Sequence, residues 1–147
     1  MSITLVIPTS LYMGWIEDPP YLCTVSETGQ DVAKQYVDIP AVPLAPHKFV
    51  KLTEANPEFL ELPQIDISDD PFNYMLGVYV ENYIALAIPR SRSQLHYVAN
   101  IVMTGIHDVF SPYKDEDEDA IYLKKFLKKE GAWAVIKNIM GFDFGVN

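Results

Sequence analysis

A chain of 147 residues suits one domain, 1–147, able to bury roughly 70% of the surface its unfolded form exposes. Apolar residues make up 49% of it, too many for a disordered tail; 20 Asp plus Glu against 11 Lys plus Arg leave a net charge of −9, which weighs against a general nucleic-acid binder. A single cysteine, Cys23, excludes an internal disulfide and any zinc site built on several cysteines, and no apolar run approaches the ~20 residues that span a bilayer.

Met1 to Trp15 lacks the basic start of a secretory signal, and Pro8 interrupts its apolar stretch. A soluble intracellular protein, cytoplasmic or nuclear and with no membrane partner, is expected. The charge is uneven: residues 1–83 hold 12 acids and 3 bases, whereas residues 84–147 hold 8 of each. Any basic surface must come from the second half.

Ile3 to Ile7 is a short β-branched run ended by Pro8 and reads as a strand. Pro20 suits the first position of a helix from about Tyr21 to Tyr36, with Leu22, Val25, Gly29, Val32 and Tyr36 at helical spacing. Gly29 weakens that helix by about 1 kcal/mol relative to Ala. Residues 39–72 carry six prolines and form a proline-rich loop insertion, with one turn of helix near Thr53 to Phe59.

Residues 74–88 hold two apolar runs around the polar pair Glu81-Asn82, which predicts a β-hairpin turning at those two residues. Ser91 and Gln94 have capping-box spacing before a helix whose apolar face runs from Leu95 to Phe110. Residues 111–119 are an acidic loop, without the glycine and terminal glutamate of a calcium-binding loop. A short helix is expected over Ala120 to Lys129, with Leu123, Phe126 and Leu127 inside and Lys124, Lys125, Lys128 and Lys129 outside. Trp133 to Ile136 and Ile139 to Phe144 read as a second hairpin. The fold class expected is α+β: a small antiparallel sheet with a central hairpin and two helices packed on one face.

His47, His96 and His107 are too scattered for a metal site by sequence; ordinary surface or packing roles are expected. Cys23 reads as a buried thiol rather than a nucleophile, because no histidine is placed by sequence to activate it. The lysines at 124, 125, 128 and 129 make either a solubilising face or a phosphate or RNA contact.

The strand, carboxylate-bearing turn, strand and amphipathic helix form a combination known in nucleotidyl-transfer enzymes, where such a turn holds acidic ligands for two Mg²⁺ ions ~4 Å apart. Tyr79-Val80-Glu81-Asn82 followed by Tyr83-Ile84-Ala85-Leu86 resembles the Tyr-x-Asp-Asp hairpin of reverse transcriptases, and most of all the polymerases of copia-type retrotransposons. Leu11 to Trp15 with Pro19, Pro20 and Tyr21 is similar to that family's Leu-x-x-Gly-(x)n-Pro segment. Ile139 to Phe144 resembles the Leu-Gly strand that follows the palm's second helix. Together these segments cover about residues 5–147.

The resemblance implies an incomplete polymerase palm. It puts Tyr79 near a primer, places Gly14 and Pro20 near template and incoming nucleotide, and makes Glu81 and Asn82 the degenerate metal positions. Both family residues at the turn are Asp. Glu81 keeps a charge but its extra methylene moves it by about an ångström, a displacement that can cost ~10²-fold in rate. Asn82 loses the charge. The family's third carboxylate stands on a strand upstream of the Gly-Pro segment, and the resemblance begins after it. Descent from a polymerase palm without independent catalysis is therefore expected, with no cofactor, or Mg²⁺ at Glu81 if activity remains. Glu81 and Asn82 also read simply as a solvated turn. The missing strand leaves a sheet edge that recruits a second copy or another protein, unless Ile3 to Ile7 substitutes for it. A repurposed protein-interaction module and a polymerase fragment completed in trans are the other functional readings.

Overall fold

The computed structural model describes residues 2–8, 19–38, 46–79, 82–110, 121, 126, 131–135, 137–139 and 142–144. Strand β1 (Ile3–Pro8) leads to helix α1 (Pro19–Asp38). The Pro19-Pro20 pair sits in the first turn of α1, where a missing N–H costs no helical bond. A 3-10 turn (Val50–Glu54) and the single-turn helix α2 (Pro57–Leu60) bracket the helical turn expected near Thr53 to Phe59. Strands β2 (Asn73–Tyr79) and β3 (Asn82–Ile88) follow, then helix α3 (Arg92–Phe110). No helix among the described residues is long and apolar enough to cross a membrane.

The three strands form one antiparallel sheet in the order β1-β3-β2. β1 and β2 therefore run parallel to each other with β3 between them, a split β-α-β crossover through α1. Ile3 to Ile7 does take the lane beside the hairpin: Ile3, Leu5 and Ile7 stand opposite Ala87, Ala85 and Tyr83. On the other side of β3, Tyr74, Leu76 and Val78 stand opposite the same three residues.

That register puts one row of side chains on one face. Ile3, Leu5, Ile7, Tyr83, Ala85 and Ala87 are buried against Leu95, Val98, Ala99, Val102, Met103 and Ile106 of α3. α1 shares the face. The Tyr83 hydroxyl donates to the Ser26 carbonyl at 2.7 Å, and Gly105 of α3 lies so close to Ala33 that an added Cβ would come within 3.0 Å of it. The two helices and the sheet thus make the α+β core expected.

Two corrections to the expected elements follow from partner choice. The hairpin turns one residue earlier than expected. Tyr79 pairs with Asn82, so Val80 and Glu81 lie between the strands and Asn82 is a ladder residue. The second hairpin is shorter and later than expected: β4 (Lys137–Ile139) pairs with β5 (Phe142–Phe144). Trp133 to Val135 is not its first strand. Ala134 instead exchanges two backbone hydrogen bonds with Thr4 of β1, at 2.8 and 3.0 Å. Trp133 is thereby carried into the core and fully buried, its N–H donating to the Thr53 carbonyl and its carbonyl accepting from the Asn56 side chain.

Candidate functional site

The sheet end where β2 meets β3 is the place singled out by sequence. Tyr79 ends β2, and Asn82, half-buried, begins β3 opposite it; Pro8 of β1 stands opposite Asn82 on its other side. Glu81 lies outside the described residues, as do Gly14, Lys124, Lys125, Lys128 and Lys129; the acidic loop 111–119 lies outside them too. Pro20 is in the first turn of α1. The site residues brought together by the described structure are therefore Tyr79 and Asn82.

The donor set does not fit a pair of Mg²⁺ ions. Mg²⁺ takes hard oxygen ligands, usually with one or more carboxylates. The sequences of β1, β2 and β3 contain no Asp and no Glu. Between Asp70 and Asp108 the only acid is Glu81. The strand beside β3 is Ile3–Pro8, whose residue opposite Asn82 is a proline. Among the described residues of this sheet end, Asn82 offers an amide oxygen and no carboxylate is present.

Tyr83, next to the hairpin, is a structural residue. It is 3% exposed, and burial pushes its phenol well above the usual range, so it stays protonated and donates to Ser26. Gly29 lies directly over its ring: a Cβ there would meet the Tyr83 hydroxyl at a distance no side chain tolerates. Gln30, one residue on, donates through its side-chain amide to the Leu76 carbonyl at 2.9 Å and so occupies part of the outer edge of β2. A cleft lined by Gln30, Ala33, Leu76, Tyr83 and Val102 holds about 10 Å³, room for about one water and far below the range of small-molecule sites.

Sequence reading missed three polar clusters. His47 reaches His107 across the end of α3, Nε2 to Nδ1 at 2.5 Å, with the rings stacked. The Phe49 N–H donates to His47 Nδ1 at 3.1 Å, and His47 Nε2 faces His107 Nδ1. His96 Nε2 meets Glu54 Oε1 at 2.5 Å, with Phe59 against its ring. Among the described residues, no three His, Cys, Asp or Glu side chains converge as a metal site.

The third cluster centres on Asp66. Its Oδ1 accepts from the Ser68 N–H at 3.0 Å; its Oδ2 accepts from Gln94 at 2.6 Å and from Arg90 Nη2 at 3.1 Å. Gln94 also accepts the Arg90 N–H at 2.7 Å, so its side chain closes on Arg90 instead of completing the capping box with the Ser91 N–H. The Ser68 amide first, and the Arg90 guanidinium after it, hold the Asp66 carboxyl below its ordinary value of 3.8. A carboxylate depressed in the folded state adds stability above the unfolded pKa and loses it as pH falls through the folded one. Asp66→Asn is therefore expected to lower the melting temperature near neutral pH. The gap between variant and parent should close on acidification below the ordinary carboxylate range; a constant gap across that range would show that the charge of Asp66 contributes nothing.

Comparison with protein-family models, with curated proteins and with solved structures finds no match.

Proposed function

We propose that this chain is a reverse-transcriptase-like palm domain, similar to those of copia-type retrotransposons, that has no nucleotidyl-transfer activity of its own. One observation supports the reading: a split β-α-β crossover, a hairpin and a following helix are all present, while no strand of that sheet bears a carboxylate. Nucleotidyl transfer through two metals needs acids that converge on both ions. At the hairpin end of the sheet, Pro8 and Asn82 are paired, and neither is an acid. The scaffold is kept and the charge is gone. The lysines at 124, 125, 128 and 129 supply whatever contact with a template backbone the domain retains.

Primer extension on an RNA template, with Mg²⁺ or Mn²⁺, tests the proposal. The chain is expected to add no nucleotide. Extension by the unaltered chain that Glu81→Gln abolishes would overturn it, and would mean that one carboxylate supports the chemistry. Measuring RNA binding at several salt concentrations isolates the lysines. If they contact phosphates, Lys124→Glu lowers affinity and flattens the salt dependence.

A further inference from the structure

The loop between α2 and β2 is held far more firmly than a solvent-exposed loop requires, and it turns its apolar residues outward. The Pro63 and Gln64 carbonyls accept the first N–H groups of α3, from Arg92 at 2.7 Å and Ser93 at 3.1 Å. Arg90 grips Asp66 and donates to the Asp70 and Pro71 carbonyls. Ser68 accepts the Asp70 N–H. On this frame Ile67 is 98% exposed, Ile65 68% and Leu60 65%. An isoleucine held in water on an ordered backbone gains nothing from folding, since burial is what stabilises it. Holding such side chains in one position does favour binding, because the ordering cost is already met before a partner arrives.

The charge around them selects the partner. From Leu52 to Pro89 the chain has no Lys, Arg or His and seven acids. Arg90 compensates Asp66 and Arg92, half-buried, adjoins Pro63, while Glu61, Asp69 and Asp70 are exposed in the same loop as the isoleucines. A two-fold dimer through this loop would bring acid against acid, since such an interface sets the same patch on itself. The complementary surface is apolar in the middle and basic at the rim.

We propose that the loop 60–70 is a docking spur, in which Leu60, Ile65 and Ile67 pack against an apolar segment interleaved with Lys or Arg on a partner protein. The proposal is independent of the palm reading, because it involves neither the hairpin nor the lysines.

Selection of a random peptide library displayed on phage against the full chain tests it. Enriched peptides are expected to interleave apolar residues with Lys or Arg and to bind more weakly as salt rises. Ile65→Ser and Ile67→Ser should each weaken a selected peptide by about tenfold or more, as anchor residues do. The double charge reversal Asp69→Lys with Asp70→Lys should weaken it with the anchors intact. The side chains replaced are exposed, so the variants should keep the parent's circular dichroism and melting temperature. Failure to enrich any peptide would overturn the proposal. So would enrichment of acidic or uncharged peptides, or peptides that bind the serine variants as tightly as the parent. Sedimentation showing a dimer of the parent that the serine variants dissolve would also overturn it, in favour of a second copy.

Discussion

Gly29→Ala is expected to destabilise the protein by about 2 kcal/mol, although alanine is the better helix former by about 1 kcal/mol. The reason is Tyr83. Its hydroxyl lies where the new Cβ would stand, with the ring carbons next to it only slightly farther away. The ring is fully enclosed and cannot swing into solvent. Overpacking of this kind costs about 1–3 kcal/mol, and pulling the buried phenol from the Ser26 carbonyl costs about 1–3 kcal/mol more. Both exceed the gain in propensity. A double-mutant cycle decides the cause. Tyr83→Phe alone should cost about 1 kcal/mol, the worth of one hydrogen bond. With that hydroxyl removed, Gly29→Ala should cost little further, a coupling of about 2 kcal/mol between the two sites. Urea unfolding of the four proteins measures it. A stabilising effect of Gly29→Ala in the parent would mean that the phenol does not pack beneath α1.

The second large effect is at Trp133. It is fully buried in the one cluster that joins β1, α3, the 3-10 turn and Phe59. Trp133→Ala should cost about 3–5 kcal/mol, the usual range for emptying an aromatic site, and should loosen the Thr4–Ala134 bridge with it. Trp133→Phe should cost less than half as much. Among the described residues the buried indole N–H has no acceptor, and an orphaned donor is itself worth about 1–3 kcal/mol against the fold. Phenylalanine fills most of the space and removes that donor. Equal losses in the two variants would mean that the indole nitrogen has a partner after all. Circular dichroism is the suitable probe, since Trp15 also contributes to fluorescence.

What was legible in the sequence is what depends on neighbours along the chain. The apolar face of α3 is written at helical spacing from Leu95 to Phe110, and the β-branched run of β1 is written in six consecutive residues. The turn of the hairpin was misplaced by one residue because Glu81-Asn82 is the most polar pair in the stretch. The ladder answers to a stronger demand: Tyr83, Ala85 and Ala87 must all face the helices, and a one-residue slip would turn them outward. Trp133 was read as the start of the second hairpin, but Ala134 beside it bridges to Thr4, near the other end of the chain, and no local pattern names a distant partner. Gly29 was legible as a weak point of α1 and illegible as the space for a tyrosine. The same holds for polar clusters. His47 and His107, or Asp66 with Arg90 and Gln94, are united only by the way a proline-rich stretch crosses the ends of α3.

Of the candidate site, the residue identities were legible and the surroundings were not. Asn82 and the absence of acids from the strands could be read directly. That Pro8 would stand opposite Asn82 could not, because it follows from β1 filling the lane beside β3. With Pro8 opposite Asn82, acids restored at the turn would meet no acid on the neighbouring strand. Glu81→Asp with Asn82→Asp is therefore expected to leave primer extension at background.

The lane taken by β1 also sets a sequence of events at birth. The ribosome releases Ile3–Pro8 before β3, on one flank, and long before Ala134, on the other. At ~5–20 residues per second, the six-residue strand waits several seconds for its first neighbour and longer for its second. During that wait it is uncharged, rich in β-branched residues and not yet paired by β3 or Ala134, features that invite pairing with a stranger. Newly made copies on one polysome are the nearest strangers. Yield in cells should depend on translation speed and chaperone supply more than on the stability of the finished molecule.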